Sequence, residues 1–145
     1  MKKIMMLSLS MIALMSCSNN DDADNQTSIV GVWKESKTVI YSGSNNAVLN
    51  TELPDDCDKK NTYEFTSNGM LNTKTFYTQS TTGLCIEVAN SSDAYTYNPE
   101  TKKIVVDGET TDVLSLTNNA LQIVVDINDE NNDGVDDKVV MFLVK

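Results

Sequence analysis

The segment between residues 129 and 137, DENNDGVDD, combines oxygen-bearing side chains with a spacing that suits calcium chemistry. It reproduces the pattern D-x-N-x-D-G, in which side-chain oxygens at positions one, three and five converge on the cation. Gly134 at position six permits the sharp bend, the carbonyl at position seven is a further ligand, and position nine binds directly or through water. The pattern therefore predicts a structural calcium site, the one cofactor that the sequence suggests, with the ligands Asp129, Asn131, Asp133, Val135 and Asp137.

The same segment also has a simpler interpretation as a solvated acidic hairpin loop. Position twelve, a bidentate glutamate in a helix-flanked calcium loop, is Val140 here, and the flanking sequences predict strands. An acidic loop of this kind keeps strand edges from pairing with other molecules. The spacing is similar to that of the short calcium loops of dockerins and thrombospondin type 3 repeats, and crowded carboxylates repel one another in a way that a cation would relieve. Both interpretations stay open.

Cys17 lies where an apolar segment meets a polar, acidic one. Lys2 and Lys3 precede an apolar run at 4–15 that is shorter than the ~20 residues needed to span a bilayer. The run has no polar face, which disfavours a buried amphipathic helix. Leu14-Met15-Ser16-Cys17 resembles the lipobox of bacterial lipoproteins, in which the signal is cut before the cysteine and its sulfur receives a diacylglycerol group. The resemblance implies a signal peptide at 1–16 and a lipidated Cys17 that anchors the protein to a membrane.

The residues after Cys17 predict a tether to that anchor. The stretch SNNDDADNQTS (18–28) contains no large apolar side chain, so residues 17–28 are predicted to be disordered. Its acidic residues resemble the surface-export signals of lipoproteins in the Bacteroidota. We therefore expect an outer membrane lipoprotein of the cell envelope, with periplasmic and surface-exposed orientations both open, and one domain at 29–145.

Cys57 and Cys85 remain as a pair once Cys17 is assigned to lipid. In an oxidising compartment an even pair favours a disulfide, and two unpaired buried thiols are the alternative. Closing the intervening loop of about 29 residues would stabilise the fold by roughly 3–4 kcal/mol on the chain-entropy model.

The charged residues exclude several classes of function. The chain has a net charge of −10 and contains neither arginine nor histidine. Nucleic-acid-binding proteins need a basic face, so nucleic acid is not an expected partner. Without histidine no Ser-His or Cys-His nucleophile and no histidine metal site can form. The sequence has no P-loop, no G-x-S-x-G and no dinucleotide-binding glycine pattern, and its acidic residues show no catalytic spacing. We therefore expect that the protein is not an enzyme.

The elements that must position these residues are predicted to be short strands. Apolar residues in 29–145 mostly alternate with period two, and few segments carry a helical repeat. Strands are predicted at 30–41, around Tyr63 and Phe65, at 70–78, near Cys85, at 94–97, at 104–106, around Leu114 and Leu116, and on both sides of the acidic loop. A polar loop with Pro54 and Cys57 follows the first strand.

Turn signals and shared faces complete this pattern. Asn68-Gly69 and Asp107-Gly108 predict tight turns between strands. Leu121, Ile123, Val125 and Ile127 are predicted to share one face of their strand, as are Val139, Met141 and Leu143. Eight or nine short strands joined by short turns predict an antiparallel up-and-down meander, which hides its edges as a barrel or as a sandwich.

Gly31-Val32-Trp33 resembles the G-x-W motif of lipocalins. Together with DDCDKKNTYEFTSNG (55–69), LTNNALQI (116–123) and VVMFLVK (139–145), it resembles the lipocalin-like lipoproteins of Bacteroidota over nearly all of residues 29–145. The resemblance implies an all-β fold, in which the antiparallel meander closes into a small lipocalin-like β-barrel of about eight strands. Gly31 and Trp33 are expected in the core at one end of the barrel.

Two features depart from the lipocalin pattern. Lipocalins place an arginine near the C-terminus against the tryptophan, and this chain has none. The Thr-Asp-Tyr motif is only partly matched by Thr111-Asp112-Val113. Ligand-binding residues are therefore not carried over.

The interior of an eight-stranded barrel is either filled by side chains or holds one small ligand. The leading hypothesis is a non-enzymatic cell-envelope protein that binds a small apolar or amphipathic molecule. The alternative is a filled barrel that serves as a structural or protein-interaction domain at the cell surface.

Overall fold

Nine antiparallel strands and one short 3-10 helix form the protein in the computed structural model, which describes residues 27–145. The strands are β1 (Gly31–Tyr41), β2 (Val48–Glu52), β3 (Thr62–Phe65), β4 (Met70–Thr78), β5 (Cys85–Asn98), β6 (Lys103–Val106), β7 (Glu109–Leu116), β8 (Ala120–Asn128) and β9 (Asp137–Val144); the 3-10 helix is Asp58–Lys60. The predicted signal peptide, the predicted lipidation site at Cys17 and most of the predicted tether lie outside the described residues.

The sheet closes on itself. Each strand from β3 to β9 pairs with the next, and β1 pairs with both β3 and β9, so that eight strands form an up-and-down barrel. β2 is an extra strand that folds back along residues 38–41 of β1. We refer to the end of the barrel at Gly31 as the closed end and to the end at Tyr41 as the open end. The predicted all-β barrel of about eight strands is confirmed.

β1 divides one of its edges between two partners. Residues 31–33 pair with β3 and residues 38–41 pair with β2, while the other edge pairs with β9. Register shifts between Glu35 and Lys37 and between Ile40 and Tyr41 interrupt the ladder, and bulges of this kind bend a strand. The 3-10 helix packs against β1 and β4, beside the part of β1 that β3 does not reach.

The predicted disulfide between Cys57 and Cys85 is confirmed. It joins the segment before the 3-10 helix to the start of β5, with Cα atoms 5.4 Å apart and Cys57 buried. The Asp55 carboxylate accepts hydrogen bonds from the backbone N–H groups of Asp58 (2.8 Å) and Cys57 (2.6 Å). These two bonds lower the pKa of Asp55. Covalent and hydrogen bonds thus fix the long connection between β2 and β3.

The core fills the half of the barrel nearest the closed end. Trp33 and Leu121 are fully buried. The rings of Phe65 and Tyr95 meet edge to face with centroids 4.9 Å apart, the geometry that aromatic quadrupoles favour. One connected cluster contains Ile29, Trp33, Phe65, Tyr95, Ile104, Val113, Leu121 and Leu143.

Three local predictions were wrong. β2 lies in a stretch that was predicted as part of a polar loop. The strand was missed because all five of its residues are exposed and their hydropathy does not alternate. The two short strands predicted near Cys85 and at 94–97 are one strand, β5, whose polar middle pairs with β4. Ile127 does not share a face with Leu121 and Ile123, because a bulge between Val124 and Asp126 reverses the alternation.

Candidate ligand cavity

A cavity of about 180 Å³ lies inside the barrel, between the core and the open end. The side chains that line it come from six strands and are mostly apolar. Five of these strands each contribute two residues that are two apart in sequence and point to the same face, and β7 contributes Thr111 alone. The lining is Tyr63, Phe65, Leu71, Thr73, Ile104, Val106, Thr111, Ile123, Val125, Met141 and Leu143.

The strand pattern dictates which end of the cavity is polar. On β3 and β4, Phe65 and Leu71 lie nearer the closed end, and the hydroxyl-bearing Tyr63 and Thr73 lie two residues nearer the open end. A third hydroxyl-bearing residue, Thr111, pairs with Ile104. None of these three hydroxyl groups makes a hydrogen bond to another residue within 27–145. The cavity therefore offers an apolar body and free hydroxyl groups near its opening.

The Tyr63 hydroxyl lies in an acidic environment. Burial raises the pKa of this phenol, and the carboxylates of Glu35 and Asp58 raise it further. Glu35 follows Trp33 by two positions on β1 and pairs with Leu143, so it faces the interior. Its Oε1 accepts a hydrogen bond from Thr38 Oγ1 at 2.8 Å. A half-buried carboxylate thus stands beside the polar end of the cavity.

The wall of the barrel is split next to the cavity. β7 pairs with β8 only through Val113–Leu116. Register shifts lie between Val113 and Ser115 of β7 and between Val124 and Asp126 of β8, and the two strands separate from there toward the open end. The gap between 109–112 and 124–127 has a volume of about 350 Å³. Thr111 and Val125 border both this gap and the interior cavity. The gap therefore adjoins the interior cavity at these two residues.

The closed end is built around Trp33, which is fully buried. Trp33 Nε1 donates a hydrogen bond to the carbonyl of Ile29 at 2.7 Å, which folds the preceding segment across the barrel. Lys145 Nζ lies 4.6 Å from the centroid of the Trp33 ring. It also donates to the carbonyls of Val30 (3.0 Å) and Ser28 (3.4 Å). Trp33 is a core residue and does not line the cavity.

Lys145 is a structural position at the closed end that the sequence analysis did not identify. The chain has no arginine, but Lys145 follows the buried Leu143 by two positions and so lies on the same face. Gly31 makes room for it: a Cβ at this glycine would lie 2.8 Å from Lys145 Cε, and the backbone φ of Gly31 is +141°. The alternation of inward and outward side chains along the last strand could have identified this position from the sequence.

A family model described as Lipocalin-like domain matches residues 29–123. The chain belongs to the lipocalin-like domain family. No curated protein and no solved structure matches it. Proteins with a lipocalin-like fold generally bind ligands and are generally not enzymes.

The matched range covers most of the barrel of this lipocalin-like domain and ends within β8, so the acidic loop and β9 lie beyond it. Within residues 27–145, no helix is both long enough and apolar enough to cross a membrane. A disulfide is typical of proteins outside the cytoplasm.

The acidic loop of the lipocalin-like domain lies at the open end and is held by its own backbone. Asp129 accepts hydrogen bonds from the N–H groups of Asp133 (3.1 Å) and Gly134 (2.9 Å). Asn131 accepts from the same Asp133 N–H at 2.8 Å, and Asp133 accepts from Val135 N–H at 2.9 Å. Gly134 has a φ of +84°, which agrees with the sharp bend assigned to it.

Asp137, the last of the predicted calcium ligands, is fully buried. Its two carboxylate oxygens accept hydrogen bonds from the N–H groups of Gly43 (2.9 Å) and Glu130 (3.0 Å), and so join the loop to the turn after β1. In the described part of the chain, no group of three or more Asp, Glu or Cys side chains is placed to hold a metal ion. Calcium binding by this loop stays a prediction.

Proposed function

We propose that this lipocalin-like domain is a non-enzymatic binding module that holds one small apolar or amphipathic molecule inside its barrel. The observation that carries the proposal is the cavity, which is apolar at its inner end and bordered by free hydroxyl groups near its opening. Small-molecule sites in proteins combine such an apolar lining with a few polar groups that orient the ligand.

The size of the cavity limits the ligand. A volume of about 180 Å³ is below the 300–1,000 Å³ of sites for drug-sized ligands. A dry apolar cavity of roughly 150 Å³ accepts benzene, so a ligand of about six to ten non-hydrogen atoms fits here. The cavity also argues against the alternative of a completely filled barrel with a purely structural role.

Calorimetric titration of the full-length chain with 1-hexanol tests the proposal. We expect binding with a dissociation constant on the order of 0.1–1 mM, because a ligand with few atoms gains little binding free energy beyond the cost of its lost translational and rotational freedom. Thr73→Met adds apolar volume to the lining and should abolish the binding heat. Thr96→Met is the matched control, since Thr96 is exposed on the outside of β5. Equal heats from all three proteins would overturn the proposal.

We further propose that the domain is an outer membrane lipoprotein of the cell envelope, anchored through lipid on Cys17. The lipobox-like sequence before Cys17 and the Cys57–Cys85 disulfide support this location. More than one acyl chain makes such anchoring stable, since each buried CH₂ contributes ~0.8 kcal/mol. Metabolic labelling with a fatty acid should mark the wild-type protein and not Cys17→Ala, and equal label in both would exclude the anchor.

A further inference from the structure

The charged side chains directed into the barrel between Trp33 and the open end are all negative. Glu35 follows Trp33 on the inner face of β1, and Asp93 pairs with Leu71, which lines the cavity. Glu109 pairs with the cavity residue Val106, and Asp126 pairs with Val139, two positions from the cavity residue Met141. Since paired residues share a face, these four carboxylates surround the cavity and its opening: Glu35, Asp93, Glu109 and Asp126.

The lysines of the described residues lie elsewhere. Lys34 and Lys37 pair with Val144 and Phe142 on the outer face of the barrel. Lys145 lies below Trp33, at the closed end. The ion pairs within 27–145 are exposed and join Lys59 to Asp56, Lys74 to Glu87, and Lys103 to Asp112. None of these ion pairs includes Glu35, Asp93, Glu109 or Asp126, so no lysine within 27–145 lies at ion-pair distance from the carboxylates that face the cavity.

Glu35 is, with Asp93, one of the two partly buried carboxylates of this set. Glu35 pairs with Leu143 of β9 and its charge raises the pKa of Tyr63 of β3, and both of these residues line the cavity. Thr38 donates to one of its oxygens, and no lysine of the described chain lies within ion-pair distance of either oxygen. A partly desolvated carboxylate is stabilised by a cation that approaches it, so the cavity has an unmatched preference for positive charge.

We infer that the molecule held in the cavity is a small amphipathic cation, a primary alkyl- or arylammonium, whose apolar body fills the cavity and whose ammonium group lies at Glu35. The three donors of an ammonium group match the Glu35 carboxylate and the free hydroxyl of Tyr63. Asp93, Glu109 and Asp126 add a negative potential at the opening and the lateral gap, which attracts cations and repels carboxylates. This inference rests on the proposed function, because it assigns a chemical class to the same cavity.

A matched series of three ligands separates the inference from the proposed function. The full-length chain is titrated at about pH 7 with hexylammonium, 1-hexanol and hexanoate, which share one alkyl chain and are cationic, neutral and anionic. We expect hexylammonium to bind about tenfold more tightly than 1-hexanol, and hexanoate to bind most weakly. Raising the salt concentration from about 0.05 to about 0.5 M should weaken the binding of hexylammonium alone.

The variant Glu35→Gln keeps the oxygen that accepts from Thr38 and removes only the charge. It should bind hexylammonium about tenfold more weakly and 1-hexanol with unchanged affinity. Glu100→Gln is the control, because it removes the same charge from an exposed turn at the closed end. Equal affinities for hexylammonium and 1-hexanol in the wild type would overturn the inference and leave the proposed function standing. No binding of any of the three ligands would overturn both.

Discussion

Lys145 Nζ lies 4.6 Å from the centroid of the Trp33 ring, so a cation from the end of the last strand closes the barrel beneath the tryptophan of the first strand. Three features of the closed end surround this contact. The segment at 28–30 is held by hydrogen bonds from Lys145, Trp33 is sealed from solvent, and Gly31 leaves the space that the lysine side chain occupies. A lysine here fills the position where lipocalins are expected to have an arginine.

Removing this cation should destabilise the fold. Lys145→Met loses the contact with the Trp33 ring and two hydrogen bonds to backbone carbonyls, and because the side chain is exposed we expect a loss of about 1–2 kcal/mol. Lys145→Arg should retain most of the stability. Urea unfolding with an unchanged m-value measures the difference, and Lys34→Met, on the outer face of β1, is the control. A Lys145→Met protein as stable as the wild type would contradict the role assigned to this lysine.

The disulfide should stabilise the domain through the long connection between β2 and β3. The two cysteines are 28 residues apart in sequence, and closing a loop of this length restricts the unfolded chain by roughly 3–4 kcal/mol. The double variant Cys57→Ser, Cys85→Ser should lose this amount in denaturant unfolding. A reducing agent should destabilise the wild type and leave the double variant unchanged. If the reducing agent affects both proteins equally, it acts through something other than this disulfide.

Tyr63 should titrate at higher pH than a free tyrosine. Burial, Glu35 and Asp58 all raise its pKa, so the folded protein retains the phenolic proton that the unfolded chain loses at about pH 10. The stability that this provides is fully present below about pH 10 and is lost as the pH rises through the folded pKa. Absorbance titration of tyrosinate, with Tyr63→Phe to assign the signal, gives the value. Glu35→Gln should lower the pKa of Tyr63. An unchanged pKa would mean that Glu35 lies too far from Tyr63, and so from the polar end of the cavity, to act on it.

The acidic loop is the target of the calcium prediction. If the loop binds calcium as the spacing predicts, affinity should be weak, with a dissociation constant of about 10⁻⁴–10⁻³ M. Calorimetry should then show a heat that Asp133→Ala abolishes and that Asp136→Ala, outside the predicted ligand set, retains. Asp137 is unsuitable for this test because its buried carboxylate also holds the backbone of Gly43 and Glu130. Absence of heat and of any rise in melting temperature at about 10 mM calcium would leave a purely structural loop.

Alternation of apolar residues was sufficient to predict most of the barrel. β1 and β4 match their predicted spans within one residue, and the turns at Asn68-Gly69 and Asp107-Gly108 join the strands expected. Two of the three wrong predictions concern exposed or polar stretches of strand. β2 is exposed throughout, and the middle of β5 is a polar stretch recruited by pairing with β4. Pairing energy at these positions comes from the backbone, which leaves no trace in side-chain hydropathy.

Bulges set the limit on predicting the cavity. Leu121, Ile123, Met141 and Leu143 could be assigned to the interior by their period, and the structure places all four there. The bulge in β8 could not be predicted, because the sequence around Val124 contains no glycine or other residue that marks one. It turns Ile127 outwards, separates β8 from β7 and opens the lateral gap. The carboxylates around the cavity could not be assigned from the sequence, because the strand register is what places Glu35 beside Leu143 and Asp93 beside Leu71.

Isotope-edited nuclear magnetic resonance with 1-hexanol tests the central claim most directly. A small molecule held inside the barrel should shift the methyl signals of Ile104, Ile123 and Met141 and give intermolecular Overhauser contacts to them. The methyl signals of Val32 and Val144, exposed on the outer face, should stay unchanged. Shifts confined to Val32, Val144 and other outer residues, with the interior methyl groups unaffected at saturating ligand, would contradict a binding function for the cavity.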